Sequence, residues 1–179
     1  MHTINQKIIV ANAEQLSKMP KPSRRENEWT HSLWDQHTAL REANMAKQIF
    51  INLPIRDLAA SMAYYKALGF DHNPQFTDDK AACIVISETI YVMVLTHEKF
   101  AQFSDLPIPD ARQQRQALYA LSCDSRDAVD QIAQAGLAAG GSEARDRQDY
   151  GFMYSRAIAD LDGHTWEFVW MDLSQMPTQ

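Results

Sequence analysis

A single carboxylate stands in an aromatic stretch near the C-terminal end of this chain. Residues 160–163 have the composition of a tight turn, and Glu167 follows them among Trp166, Phe168 and Trp170. An ionised carboxylate is costly to bury unless a cation or hydrogen bonds compensate it. Strand alternation predicts that Glu167 lies on one face, with the three aromatic side chains on the other. Glu167 therefore needs a cation or hydrogen-bond donors on its face and is a candidate functional residue.

Three other polar side chains are candidates for binding a ligand near Glu167. Asn52 lies in an apolar stretch, where it either orients a ligand or is a buried amide satisfied by the backbone. Tyr154 and Arg156 share one parity in the stretch before residues 160–163. If they face inward, Arg156 is placed to neutralise Glu167 or to bind an anionic substrate; if they face outward, both belong to the surface.

The polar stretch 145–151 is predicted to be a solvated loop, although Tyr150 and Phe152 beside it could act as a lid. His97 and His164 lie at predicted strand ends, within reach of a pocket rim as general bases. The alternatives are that His97 starts a helix and that His164 is a hairpin residue.

The composition excludes several classes of function. The 179 residues are 45% hydrophobic and 22% charged, as in an ordinary globular domain, and the net charge is −6. No Lys/Arg cluster is longer than Arg24-Arg25, so we expect no nucleic-acid partner. Cys83 and Cys123 match neither a metal-ligand spacing nor a disulfide framework, which predicts buried thiols in a reducing cytoplasm.

No segment has the length and apolarity of a membrane span, and the apolar run 8–11 is too short for the core of a signal peptide. We therefore expect a cytoplasmic protein without a membrane partner. Residues 1–45 are polar and are predicted to be an N-terminal extension, partly disordered or docking through Trp29 and Trp34. Residues 46–173 are the predicted domain, and 174–179 a tail.

The domain has a repeated order of elements. The first copy, within residues 46–103, begins with a strand at 49–53 that stops at Pro54. A helix capped by Asp57 follows and ends at Gly69. Its three further strands are predicted at 70–76, 82–87 and 90–96.

The second copy, within residues 116–172, repeats the order strand, helix and three strands. It begins with a strand at 117–123, followed by a cap in 124–127 and a helix that runs to Gly136. Strands are predicted near 141–146, 151–159 and 164–171. The fold class is therefore α+β, with two βαβββ modules that form a curved mixed sheet around a cup. The alternative is a sandwich whose inner faces simply pack as core.

The sequence INLPIRDLAAS at 51–61, followed by Tyr64-Tyr65 and the run 68–70, resembles the first module of the vicinal oxygen chelate superfamily. This superfamily includes glyoxalase I, bleomycin resistance proteins and extradiol dioxygenases. Residues 160–164 through Glu167 resemble its last hairpin. The resemblance covers about residues 46–172 and implies paired βαβββ modules, usually in a homodimer.

The resemblance also implies where a divalent metal would be held in the metal-dependent members. The first-strand ligand position, seven residues before Asp57, is Phe50 here. The fourth strand offers Val94 or a neighbour, and Leu118 stands where the second module's histidine is expected. Only Glu167 keeps a ligand type. One ligand does not hold a catalytic ion, so we expect no metal cofactor.

Three functions remain open at this level. The first is a metal-free protein that binds a small amphipathic molecule in an apolar cup lined by the ligand-binding candidates. These are Phe50, Asn52, Val94, Leu118, Tyr154 and Arg156. The second is a glyoxalase-like lyase or related enzyme that uses Glu167 on a small carbonyl or thiol conjugate. The third is a partner protein that binds through Trp29 and Trp34.

Overall fold

The computed structural model describes residues 47–176, so the predicted extension with Trp29 and Trp34 lies outside the described residues. The first module contains strand β1 (Ile49–Ile55), helix α1 (Leu58–Ala67), and strands β2 (Asp71–Asn73), β3 (Ala81–Val85) and β4 (Ile90–Thr96). A short helix, α2 (His97–Phe100), follows β4, which confirms the prediction that His97 starts a helix.

The second module contains strand β5 (Leu118–Ser122), helix α3 (Arg126–Ala138), and strands β6 (Ser142–Asp149), β7 (Met153–Ala159) and β8 (Thr165–Met171). Each module forms its own four-stranded sheet, in the orders β1-β4-β3-β2 and β5-β8-β7-β6. In both sheets the first and last strands of the module pair in parallel, and the other pairs are antiparallel. The two open, curved sheets confirm the predicted α+β fold of paired βαβββ modules.

Local sequence signals explain where the helices begin. The side chain of Asp57 accepts a hydrogen bond from Ala60 N, as its predicted role as N-cap of α1 requires. Ser125 caps α3 in the same way by accepting from Ala128 N. Helix α3 runs two residues past Gly136, the predicted end, and the chain turns at Gly140, whose φ is +100°.

Two predicted strand boundaries were wrong for identifiable reasons. Pro54 lies inside β1 rather than ending it. This is tolerated because β1 pairs with β4 alone and is an edge strand, where a missing N–H breaks no ladder. Only 71–73 of the predicted strand 70–76 is extended, because Pro74 opens a single 3₁₀ turn.

A hydrophobic core lies between the sheets and the two long helices and includes residues of both modules. Leu53 and Ile55 of β1, Tyr64 and Tyr65 of α1, and Trp166 of β8 belong to one buried cluster. Consequently the helix-covered face of each sheet is mainly apolar and carries the core. We call the opposite face of each sheet its open face.

Candidate functional site

Glu167 lies at the centre of the open face of the second sheet. Trp166 and Phe168, its neighbours along β8, point into the core and are almost completely buried. The prediction that Glu167 and the aromatic side chains lie on opposite faces is confirmed. Glu167 itself keeps 18% of its side-chain surface accessible, so it is mostly buried but still reached by solvent.

The residues beside Glu167 form one row across the sheet. Ala120 of β5 and Ala157 of β7 are its direct partners, and Arg145 of β6 is the partner of Ala157. Two strand spacings separate β6 from β8 by about 10 Å, which an extended arginine can span. Because Ala157 has only a methyl group, the Arg145 side chain can cross it and reach the carboxylate.

Arg145 satisfies the carboxylate of Glu167. Its Nε and Nη2 both donate to Oε1, at 3.2 and 2.6 Å. The Arg145 side chain is 31% exposed, so the pair is partly shielded from water. A charge-assisted pair in such a setting is stronger than one on the open surface. The cation that Glu167 requires is thus supplied by the protein itself.

The same open face has buried polar groups without partners. Arg145 Nη1 and the hydroxyls of Ser155 and Thr165 are buried and have no hydrogen-bond partner in the described chain. All three residues occupy positions in register with the face of Glu167. Each such group costs about 1–3 kcal/mol if it stays unpaired. This face therefore offers hydrogen-bonding capacity that the fold does not use.

In the first module, two of the predicted site residues lie on the open face of the sheet. Phe50 is half-exposed and stacks on Tyr91 of β4, with ring centroids 4.8 Å apart and planes 11° from parallel. Asn52 is exposed, and its Nδ2 donates to Phe50 O at 3.2 Å. The alternative of a buried Asn52 amide is therefore wrong, while a contact with a ligand stays a prediction.

Val94 was placed on the wrong face. It is completely buried and pairs with Leu53 and Ala82, both of which belong to the core. Its neighbour Met93 pairs with Asn52 and so occupies the open-face position of β4. Methionine sulfur is a soft, weak ligand that hard divalent ions avoid, so this position does not restore a metal site.

Tyr154 and Arg156 face α3 rather than Glu167. The Tyr154 hydroxyl donates to Asp130 at 2.9 Å, and Arg156 pairs with Asp130 at 3.2 Å and with Glu143. The inward-facing alternative for these two residues is therefore wrong. Arg156 does not neutralise Glu167, because the two side chains leave opposite faces of the sheet.

Leu118 lies on the open face next to Glu167, since it pairs with Thr165 in the neighbouring row. It is 53% exposed, a high value for a leucine. Together with Ala120 it gives this side of Glu167 an apolar surface. Its position agrees with the predicted cup face, and ligand contact stays a prediction.

A divalent metal does not fit the residues around Glu167. Within residues 47–176, no three His, Cys, Asp or Glu side chains are grouped closely enough to hold one. The neighbours of Glu167 in its row are alanines, and one of its carboxylate oxygens receives two N–H donors from Arg145. A metal would have to compete with that guanidinium for a lone carboxylate.

A buried network fixes the start of β8 against the first module. The Tyr65 hydroxyl donates to Asp160 at 2.8 Å and accepts from Trp166 Nε1 at 3.1 Å. Asp160 also accepts from the backbone N–H groups of Asp162 and His164. Burial raises the pKa of Asp160, and burial beside Asp160 raises the pKa of Tyr65 well above its usual value.

His164 takes part in the same junction as a hairpin residue, and its Nε2 lies 2.8 Å from Pro54 O of β1. On the other side of the turn, Arg56 Nε donates to Asp162 at 2.7 Å. These contacts hold the two modules together at the hairpin before β8. They also fix the direction in which β8 presents Glu167.

Arg145 is the residue of the candidate site that sequence reasoning missed. The strand predicted near 141–146 is present but longer, because β6 runs to Asp149, so the predicted loop at 145–151 was wrong over residues 145–149. This strand is polar and its pairing with β7 contains register shifts, so no alternation in the sequence shows how far it extends or which face Arg145 occupies. The one signal in the sequence was the presence of Arg145 in the same module as the isolated Glu167, which needs a cation.

Comparison with known proteins gives a family model and several structures. Residues 47–87 match the model of a bleomycin resistance protein-like N-terminal region. A hypothetical protein from S. aureus is 28% identical, covering 73% of this chain and 98% of that one, with a TM-score of 0.60. No curated protein matches the chain significantly.

Two more distant structures share the same fold. One is a glyoxalase/bleomycin resistance protein/dioxygenase family enzyme from Burkholderia phytofirmans, with 19% identity, a TM-score of 0.58 and coverage of 71% of this chain and all of that one. The other is a glyoxalase-related enzyme from Fulvimarina pelagi, with 20% identity, a TM-score of 0.59 and coverage of 70% and 88%.

Proposed function

We propose that this chain, which has the fold of the vicinal oxygen chelate superfamily and matches a bleomycin resistance protein-like model over residues 47–87, is a metal-free binding protein for a small amphipathic organic molecule. The proposed site is the open face of the second sheet around Glu167. The observation that carries the proposal is the ion pair between Arg145 and Glu167. In this pair a guanidinium supplies the positive charge beside the one carboxylate that keeps a metal-ligand type.

The chemistry of the face supports an amphipathic ligand. Arg145 Nη1 and Ser155 Oγ supply hydrogen-bonding groups that have no partner in the described chain. Leu118 and Ala120 supply an apolar surface beside them. A ligand with an oxygen acceptor and an apolar body would satisfy the first and cover the second.

The exposed apolar residues also support a homodimer. Phe50 and Leu118 are large, half-exposed side chains on the open faces of different sheets. Contact with a second copy would remove this apolar surface from water, and it would close the cup over the ligand.

No helix in the described residues is long and apolar enough to cross a membrane.

The enzyme alternative depends on Glu167 as a base or sole metal ligand. The contact with Arg145 argues against both roles, because a guanidinium already binds the carboxylate. The third alternative, partner binding through Trp29 and Trp34, lies outside the described residues. We therefore favour the binding protein.

A ligand screen followed by NMR tests the proposal. The ¹⁵N-labelled full chain is mixed with a panel of aromatic and branched aliphatic ketones, acids and phenols. We expect at least one compound to shift the backbone amides of Ala120, Ala157 and Glu167 in a saturable way. Arg145→Leu should weaken that binding about tenfold or more, because a charge-assisted hydrogen bond is lost.

Arg147→Leu is the matched control, since Arg147 is an exposed arginine on the same strand. It removes the same charge without touching Glu167, and binding should stay unchanged. The proposal fails if no compound of the panel binds this face. It also fails if Arg145→Leu binds every hit as tightly as the wild type.

A further inference from the structure

A pocket lies where the two modules meet, away from Glu167 and Arg145. We call it the junction pocket; it has a volume of about 270 Å³. Asn52 and Pro54 of β1 lie on one side, and Tyr119 of β5 and Thr165 of β8 on the other. The segment between α2 and β5 covers it. Neither Glu167 nor Arg145 lines this space.

Thr165 gives the junction pocket an unused hydrogen-bonding group. The side chain is 2% exposed, and its Oγ1 is buried without a hydrogen-bond partner in the described chain. A hydroxyl can donate one hydrogen bond and accept others. A buried hydroxyl left unpaired at the wall of a pocket indicates a missing polar partner rather than ordinary core packing.

The described residues that line the pocket carry positive charge and no negative charge. Arg115 lines it, while no aspartate or glutamate is among the described residues that do so. Tyr119 also lines the pocket, with its ring packed on Trp166, and burial followed by the charge of Asp160 raises its pKa, so the phenol stays neutral. A guanidinium and a hydroxyl, with no carboxylate among the described lining residues, suit a small anion with oxygen acceptors.

The remaining walls are mixed: Asn52, Ser104, Gln114, Gln116 and His164 are polar, and the rest are mainly apolar. Leu106, Pro107 and Ile108 of the covering segment and Phe100 at the end of α2 face the same space. The volume is slightly below the 300–1,000 Å³ that is typical of sites for drug-sized ligands. The occupant that fits is therefore smaller, with one ring or a branched aliphatic body and one carboxylate.

The covering segment is held in place by contacts with the hairpin before β8. Arg112 Nη2 donates to Leu161 O of that hairpin. Within the segment, Arg112 N donates to the Asp110 side chain. Gly163 allows this close approach, because a Cβ there would lie 2.6 Å from Arg112 N. The pocket thus has a fixed cover, which favours a preformed site.

We infer that the junction pocket is a second binding site, selective for small aromatic or branched carboxylates, with Arg115 and the Thr165 hydroxyl as its polar anchors. Glu167 and Arg145 do not line it, although Thr165 lies in the row next to Glu167. One anchor comes from the covering segment and the other from β8. A bound carboxylate would therefore join the segment to the second sheet.

Benzoate is the probe, with benzyl alcohol as an uncharged control of the same ring size. Titration of the ¹⁵N-labelled full chain should give saturable shifts at the amides of Asn52, Tyr119 and Thr165. Benzyl alcohol should bind at least several-fold more weakly. Arg115→Gln should weaken benzoate about tenfold, because a charge-assisted contact is lost. The control Arg147→Gln should leave benzoate binding unchanged.

Thr165→Val tests the second anchor without changing the shape of the side chain. It should weaken benzoate about threefold to tenfold, as expected for a lost hydrogen bond. It should also unfold at the same temperature as the wild type or higher, since an unpaired buried hydroxyl is removed. Absence of saturable shifts at these amides would overturn the inference. Unchanged benzoate binding in both variants, or a destabilised Thr165→Val, would overturn it too.

Discussion

Replacing Arg145 by leucine should destabilise the protein chiefly by leaving Glu167 unpaired. Arg145 Nε and Nη2 lie 3.2 and 2.6 Å from Glu167 Oε1, and the glutamate side chain is only 18% exposed. Breaking a fully buried pair costs about 3–5 kcal/mol. Exposed pairs contribute about 0–1 kcal/mol. This half-shielded pair lies between those limits, so we expect Arg145→Leu to cost about 2 kcal/mol.

A double-mutant cycle separates this pair from the loss of side-chain packing. Glu167→Leu should cost about 1 kcal/mol, because the arginine left behind is 31% exposed and can still reach water. The double variant Arg145→Leu/Glu167→Leu should cost about 1 kcal/mol or less, since an apolar pair of similar volume replaces both charges. The single costs then exceed the double by about 2 kcal/mol, which is the coupling between the two residues.

Urea unfolding followed by tryptophan fluorescence measures these free energies, because Trp166 and Trp170 belong to or pack against the core. The urea dependence must stay the same in all variants for the differences to count as stability. Arg147→Leu, at an exposed arginine of the same strand, should change stability by less than about 0.5 kcal/mol. A double variant whose cost equals the sum of the singles would refute the ion pair as the partner of Glu167.

Three further predictions concern the elements that position the site. Gly163→Ala should cost at least about 1 kcal/mol more than Gly151→Ala, because both glycines have positive φ but only at Gly163 would a Cβ meet the backbone of Arg112; equal falls in Tm would contradict this. Tyr65→Phe should cost about 2 kcal/mol by unfolding, because Asp160 and Trp166 Nε1 both lose a buried partner; a change below about 0.5 kcal/mol would contradict the network. Asp149, paired with Arg126, has its pKa lowered from 3.8 to about 2, so this contact stabilises the fold above pH 3.8 and is lost as pH falls through about 2. Arg126→Gln should return that pKa towards 3.8 in a carboxylate NMR titration, and an unchanged value would exclude Arg126 as the cause.

The sequence predicts the elements well because their signals are local. Asp57 caps α1 through a bond to a residue three positions away, and alternation along β8 separates Glu167 from Trp166 without knowledge of any other strand. The repeated βαβββ order follows from such signals. Both modules therefore have the predicted architecture.

The partner of Glu167 depends on information that is not local. Arg145 reaches it across Ala157, which requires the register of three strands, and β6 carries bulges that no alternation pattern reveals. Tyr154 and Arg156 have a common parity in the sequence, but only the position of α3 decides which face they occupy. Val94 was misplaced by one residue, enough to move a strand residue to the opposite face.

The position of the cation beside Glu167 is the central claim, and anomalous diffraction tests it most directly. Crystals of the full chain are grown with MnCl₂ or NiCl₂, and data are collected on each side of the metal absorption edge. We predict no anomalous peak within coordination distance of Glu167, with the Arg145 guanidinium bound to its carboxylate. A peak at coordination distance from Glu167, with Arg145 turned away, would contradict the account.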